Sequence, residues 1–321
     1  MTAFVGDKKT ANGKTNIIFH PPIGSDLTSI LLPCGQCIGC RLEKSRQWAI
    51  RMSHENQMSN SSCFLTLTYN EEHLPETGTL ILRDVQLFMK KLRKKISIHD
   101  ITYRPSPKTG KFIIYEKILT NPIKFFLCGE YGEKNRRPHY HICIFNYDFP
   151  DKKLFRISND VKLYVSPMLE DLWGKGFCTI GDVTFESAAY VARYITKKIT
   201  GPRGADHYLS SDPETGEIHQ LKPEFATMSR NPGLGTSWLK KYKSDVYPDD
   251  FIVIRGKKMK PPKFYDLAHE KEHAQKHEDI EFDRYQLSIE KACNNTPERL
   301  IVRESILKTR LKLLPRNLEK E

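Results

Sequence analysis

The chain has 321 residues, enough for one large domain or two modest ones, and its 39% hydrophobic content allows a core beneath a very polar surface. Lysine and arginine outnumber aspartate and glutamate by 51 to 39, a formal charge of +12 that favours a polyanionic partner, with nucleic acid the first choice. No stretch supplies the roughly 18 apolar residues of a membrane-spanning helix. The N-terminus MTAFVGDKKTANGKTN has no apolar signal-peptide core, and the 8 cysteines do not form the framework of a small secreted domain, so a soluble intracellular protein without a membrane partner is expected.

In chain order, residues 1 to about 30 lack clear periodicity and are expected to form a loop or a loosely docked arm. PCGQCIGC follows, and then RLEKSRQWAIRMSHENQ. The latter places Leu42, Trp48, Ile50 and Met52 among many charges and predicts a basic, partly buried helix. Cys63 to Tyr69, CFLTLTY, is a predicted strand. Arg83 to Ile96 is a predicted amphipathic helix, with Val85, Leu87, Phe88, Leu92 and Ile96 on one face and basic residues opposite. Residues 97 to 122 carry prolines at 105, 107 and 122 and are expected to be a loop or hairpin. Ile123 to Tyr131 and HYHICIFN are predicted strands joined by the short polar turn GEKNRRP, hence an antiparallel hairpin. SPMLEDLWGKG reads as a short helix capped by Ser166, with Pro167 at its first position. GFCTIGDVTF is a further strand, and Glu186 to Ile199 a further helix.

The simplest architecture for residues 60 to 200 is a ferredoxin-like α+β fold, one antiparallel sheet with helices against it. Beyond it, GPRGADHYLSSDPETGEIHQ suggests a loop or two-stranded flap, and SRNPGLG is turn-rich. FIVIRGKKMKPPKFYD suggests a short strand and a basic proline bend, and the chain from Leu267 onward is mostly charged helix. The expected organisation is an N-terminal arm with the cysteine cluster and basic helix (1–58), a core (59–200), and a basic, mostly helical C-terminal region (201–321).

The chemistry concentrates in three places. In RRPHYHICIF, His139 and His141 are two apart on a strand and share a face, whereas Tyr140 points the other way. Two imidazoles on one face either pack as half-buried rings or hold a divalent cation. Glu130, at the end of the neighbouring strand, can add the missing carboxylate, with Glu133 as the fallback. Such a set suits Mg²⁺ or Mn²⁺ acting on a phosphate. In YVARYITKK, Tyr190 and Tyr194 lie one turn apart on one helix face, followed by Lys197 and Lys198. They are either an aromatic core pair or paired nucleophiles that successively hold and transfer a DNA end through phosphotyrosine bonds. In CGQCIGC, the spacing of Cys34, Cys37 and Cys40 suits tetrahedral zinc, with Cys63, His54 or His20 available as a fourth ligand; reduced buried thiols are the alternative.

Two further motifs lead elsewhere. HEKEH (His269 to His273) spells a zinc-protease pattern but stands in DLAHEKEHAQKHEDIE, which reads as solvated charged helix without a third ligand. NGKT (Asn12 to Thr15) lacks the glycine and the preceding strand of a P-loop, so no nucleotide cofactor and no helicase motor are expected.

Taken together, FLTLTY, GEYGEKNRRPHYHICIF and YVARYITKK resemble the three ordered motifs of the HUH endonucleases, the rolling-circle replication initiators. With PCGQCIGCRLEKSRQWAIR and MSRNPGLG, most of the chain resembles the replication initiators of microviruses, small single-stranded DNA phages, in their gokushovirus branch. The resemblance implies a metal-dependent endonuclease and strand transferase that nicks one strand at an origin, keeps a 5′-phosphotyrosyl link and later circularises the displaced strand. It implies His139, His141 and Glu130 as metal ligands, Tyr190 and Tyr194 as nucleophiles, and Lys197 as the lysine following a catalytic tyrosine. Relatives with two tyrosines place a lysine just before the second, where this chain has Arg193; phosphate clamping survives that change, whereas proton transfer there does not. Arg136, Arg137, Arg193 and Lys198 become candidate phosphate contacts. The implied partners are single-stranded and origin DNA with a host helicase and DNA polymerase, in the cytoplasm of a bacterial host. A non-catalytic DNA-binding protein on the same fold is the alternative.

Overall fold

The computed structural model describes all residues except 1, 10–14, 106–108, 110–111, 120–122, 133–134, 159–160, 195–201, 212–214 and 314–321. The N-terminal residues form three strands, β1 (Thr2–Lys9), β2 (Thr15–Ile18) and β3 (Ser29–Leu31), paired antiparallel in the order β2-β1-β3. This corrects the expected arm. The sheet is small and much of it exposed, so its strands do not carry the alternating apolar pattern that would mark them. Helix α1 (Ile38–Gln57) leads into β4 (Ser62–Thr68), and α2 (Leu82–Lys95) follows with Val85, Phe88, Met89 and Leu92 buried along one stripe. The proline-bearing stretch is a hairpin, β5 (Ile98–Pro105) with β6 (Phe112–Leu119).

The next hairpin, β7 (Lys124–Tyr131) with β8 (Pro138–Phe145), matches the predicted pair of strands. A second hairpin, β9 (Lys153–Ser158) with β10 (Val161–Val165), has no counterpart among the expected elements. Leu154, Phe155 and Ile157 of β9 are exposed, so no buried face imposes alternation there. Helix α3 (Pro167–Trp173) starts as expected: the Ser166 hydroxyl accepts the Leu169 N–H, Pro167 opens the first turn, and Gly174 in the left-handed region ends the helix. Strand β11 (Cys178–Gly181) and helix α4 (Phe185–Tyr194) complete this part of the chain.

Beyond it stand α5 (Pro202–His207), the two-stranded flap β12 (Leu209–Ser211) with β13 (Ile218–Gln220), and β14 (Phe225–Met228). Then come α6 (Thr236–Val246), the hairpin β15 (Ile252–Ile254) with β16 (Lys257–Met259), and the helices α7 (Lys263–Glu272), α8 (Ala274–Glu290) and α9 (Pro297–Lys312).

The central sheet has seven antiparallel strands in the order β14-β7-β8-β4-β11-β10-β9, and helices pack on both faces, giving the expected α+β class. The period of two sorts the strand residues. Leu65, Leu67, Tyr140, Ile142 and Ile144 face α2 and α3, where Phe88, Leu92, Leu169 and Trp173 close the core. Phe64, Phe126, Cys143 and Phe145 face α1 and α4, against Ala49, Met52, Ala188, Val191 and Ala192. A third cluster joins α1 through Ile50 to Leu239, Val246, Tyr265 and Ile280 of the C-terminal region. Glu55 of α1 adds a polar pin: it accepts from Lys124 Nζ at 2.7 Å and from the Gly235 N–H at 2.8 Å. Among the described residues, no helix is long and apolar enough to cross a membrane.

The HEKEH segment is not the solvated face expected. His269 and His277 are buried, the His269 ring stacks on Tyr247 at 4.1 Å, and Asp266 accepts from the Tyr247 hydroxyl and from Arg284. The partners that bury it, β15 and α8, are distant in sequence or follow a break at His273 (φ −142°, ψ 60°), so the local pattern does not reveal them. That break separates His269 from His273, and the His269 Nδ1 sits 3.2 Å from His277 Nδ1 instead. The zincin geometry of two histidines on one continuous helix therefore does not form. Residues 12–14 of NGKT lie outside the described residues.

Two of these contacts give measurable expectations. The Tyr140 hydroxyl accepts the Ile81 N–H at 2.8 Å and lies 2.9 Å from the Tyr69 hydroxyl, inside the core. Tyr140→Phe strands that N–H and is expected to cost about 1–3 kcal/mol in urea unfolding; an unchanged midpoint would contradict this role. His54 stacks on Trp238 at 3.5 Å, its Nδ1 is 2.9 Å from the Tyr265 hydroxyl, and burial lowers its pKa to about 3. The unfolded chain takes up that proton near pH 6.5, whereas the folded chain resists it until about pH 3. Stability therefore falls as pH drops through this window, by up to roughly 4 kcal/mol. His54→Phe should flatten the decline seen by thermal melts across pH; an identical slope would refute the assignment.

Candidate active site

The antiparallel register of β7 and β8 sets Glu130 directly opposite His139 and Cys128 opposite His141. Directly paired residues share a face, so Glu130, His139 and His141 all project towards the α1–α4 side. The two imidazoles converge on one carboxylate oxygen: Glu130 Oε1 lies 2.9 Å from His139 Nε2 and 2.8 Å from His141 Nε2. Glu130 is 1% exposed. Burial by itself raises a carboxyl pKa, but the contacts to His139 and His141 outweigh it and hold Glu130 at about 2. Glu133, the fallback acid, lies outside the described residues.

The far nitrogens of both rings are engaged as well. His139 Nδ1 lies 3.1 Å from the Arg137 carbonyl, which can only accept, so the proton sits on Nδ1 and the neutral ring keeps its lone pair on Nε2. His141 Nδ1 lies 3.0 Å from the Thr66 hydroxyl on β4, whose register sets Thr66 opposite His141. Thr66 stands within FLTLTY, but its role depends on which strand β4 pairs with and in what register, and sequence spacing does not supply that. The His141 ring is also clamped between Phe64, stacked at 5.4 Å, and Tyr190, edge-on at 5.3 Å.

This donor set fits a cation. Two Nε2 lone pairs facing one carboxylate oxygen are mutually repulsive acceptors unless a positive charge, a proton or a metal ion, lies among them. Nδ1 partners that fix the ring orientation are the usual outer support of metal-binding histidines. Glu130, His139 and His141 form one of two groups among the described residues whose His, Cys or acidic donor atoms all lie within 4.8 Å of one another.

Helix α4 brings Tyr190 to the same face of the sheet. Ala188, Val191 and Ala192 let the helix lie close, and Tyr190 is buried against His141 and Phe64. The Arg193 guanidinium stands 5.7 Å from the centre of the Tyr190 ring. Tyr194 ends the helix one turn on. Lys197 and Lys198 lie outside the described residues. The two arginines of the turn are partly committed: Arg137 donates to Glu71 at 2.6 Å and to the Tyr69 carbonyl, and Arg136 donates to the His207 carbonyl. Tyr140 faces away from the site, its hydroxyl tied to Tyr69 and Ile81, and burial pushes its pKa up to about 12.

The second donor group is Cys34, Cys37 and Cys40 at the start of α1. Of the fourth ligands considered, Cys63 is fully buried in the sheet core and His54 is stacked inside the aromatic cluster, so neither serves; among the described residues no fourth donor, His20 included, joins the three sulfurs. The alternative of buried thiols fails too, because Cys34 and Cys37 are exposed.

Among known proteins, the family model for replication-associated protein ORF2 matches residues 62–199, the span of β4, the β7–β8 hairpin and α4. Replication-associated protein VP4 of Bdellovibrio phage phiMH2K is 33% identical over 256 residues, covering 79% of this chain and 72% of the relative. Replication-associated protein ORF2 of Spiroplasma virus 4 is 33% identical over 251 residues, 75% of this chain and 68% of the relative. Replication-associated protein ORF4 of Chlamydia phage 1 is 27% identical over 243 residues, covering 74% of this chain and 53% of the relative. No solved structure matches the chain. By the extent of these matches, the chain belongs to the family of phage replication-associated proteins.

Proposed function

We propose that this protein is a replication-initiation endonuclease that nicks one DNA strand at a phage origin through a tyrosine and later rejoins the displaced strand. The observation that carries this reading is the convergence of Glu130, His139 and His141 on one point, with Tyr190 packed against His141. A divalent ion held by these three groups, Mn²⁺ or Mg²⁺, would polarise the scissile phosphate as a Lewis acid. Imidazole nitrogens favour manganese, whereas magnesium prefers an all-oxygen set.

The protein's own groups then divide the work. Glu130 supplies the negative charge, and the Arg137 carbonyl and Thr66 hold the two rings in place. The hydroxyl oxygen of Tyr190 or Tyr194 attacks phosphorus. An O–P bond to tyrosine forms, the bond from phosphorus to the 3′ oxygen breaks, and that oxygen takes a proton and leaves as a 3′-OH for a polymerase. The phosphotyrosyl diester conserves the energy of the broken linkage, so a later 3′-OH can reverse the step and close a circle. Arg193 stands where it can offset charge on the tyrosine or the phosphate, but it is a poor proton donor. Arg136, Lys197 and Lys198 are assigned to phosphate contact. The surplus of positive charge serves origin binding, and unwinding and synthesis fall to host helicase and polymerase.

Two experiments test this reading. An origin-strand oligonucleotide incubated with the protein and Mn²⁺ should yield a covalent adduct that survives denaturation. Tyr190→Phe/Tyr194→Phe should form none, and an adduct from that variant would show that the nucleophile lies elsewhere. His139→Ala/His141→Ala should lose metal-dependent nicking, while Thr66→Val should weaken Mn²⁺ binding by roughly 10-fold in calorimetry. Full nicking by the double histidine variant would rule out this metal centre.

A further inference from the structure

The nuclease reading leaves the second donor group unused. Cys34 and Cys37 are exposed, and Cys40 lies in the first turn of α1. Gly35, at φ +72°, turns the chain between the first two cysteines, and the Cys37 N–H donates to Cys34 Sγ at 3.2 Å. This folds CGQC into a knuckle that points its sulfurs back at the third. Cys34 Sγ and Cys40 Sγ are 4.0 Å apart, and all three sulfurs lie within 4.8 Å of one another.

The separation discriminates among ligands. Tetrahedral zinc with Zn–S bonds of about 2.3 Å spaces its sulfurs about 3.8 Å apart, close to the 4.0 Å found here. An iron–sulfur cluster binds each cysteine to a different iron and needs its sulfurs spread farther. A disulfide would use two of the three and leave no reason for the third to converge. Three thiolates and one Zn²⁺ carry a net charge of −1. That charge would sit at the positive end of a 20-residue helix whose first turn contains no acidic residue.

We propose that Cys34, Cys37 and Cys40 bind one structural zinc ion, with water completing the tetrahedron. The ion would fix the chain leaving β3 to the first turn of α1, the helix that packs against α4. The site is chemically separate from the nuclease centre, because thiolates select zinc and the His–Glu set takes harder ions. It therefore stands or falls independently of the nicking mechanism.

The test uses the full chain, purified under reducing conditions and reconstituted with zinc, then dialysed free of excess metal. Elemental analysis should find zinc at one equivalent per chain in the wild type and in His139→Ala/His141→Ala, but not in Cys34→Ser/Cys37→Ser/Cys40→Ser. Titrating the wild type with a mercurial should release the zinc to a chromogenic chelator as thiols are consumed. Replacement by Co²⁺ should give the thiolate-to-cobalt charge-transfer absorption and the strong visible bands of a tetrahedral site. These wild-type measurements decide the matter even if the triple variant does not fold. Zinc well below one equivalent, zinc kept by the folded triple variant, octahedral-type cobalt bands, or iron with sulfide in place of zinc would each overturn the proposal.

Discussion

The register of one hairpin governs the candidate site. Because β7 and β8 pair with Glu130 opposite His139, the acid and both imidazoles fall on the same face of the sheet. A slip of one residue would send the histidines into the core that Tyr140, Ile142 and Ile144 now fill. Those apolar residues therefore do more than stabilise the fold. Their need for burial against α2 and α3 forces the histidines to the opposite side. The packing of one face selects the chemistry of the other.

Placement alone would leave the rings free to rotate, and the surroundings remove that freedom. Phe64 and Tyr190 hold the plane of His141, and Thr66 and the Arg137 carbonyl fix the outer nitrogens of the two rings. Tyr190 belongs to both arrangements, since it braces His141 and is also one of the two tyrosines assigned to attack DNA. Helix α4 can sit this close because Ala188 and Ala192 present almost no side chain to the sheet. The family match over residues 62–199 spans these same elements, which fits a unit in which strands, rings and tyrosine helix work together.

What was legible in the sequence was what depends on local pattern. The β7–β8 hairpin follows from two apolar runs and a short polar turn, the cap of α3 from Ser166 and Pro167, and the shared face of His139 and His141 from their spacing of two. Glu130 could be placed because a hairpin partner is a near neighbour. What was not legible depends on distant pairing. The three N-terminal strands are held mostly by backbone hydrogen bonds in an exposed sheet, β9 has no buried face to impose a pattern, and Thr66 acquires its role only when β4 meets β8. The burial of His269 likewise depends on Tyr247 and on α8 folding back over it, which the charged segment around HEKEH does not announce.

The edge strand β14 carries a consequence for how the protein is made. It covers β7, pairing Phe225 with Gly129, so the outer hydrogen-bonding edge of the metal-bearing hairpin is closed by chain that follows roughly a hundred residues later. At bacterial synthesis speeds of about 5–20 residues per second, that interval is on the order of 5–20 s. Through it, the nascent hairpin presents an open strand edge able to recruit another chain. Growing phage chains crowded along one message would then meet their own template before the cover strand is made, and spacing between ribosomes becomes a factor in the yield of folded protein.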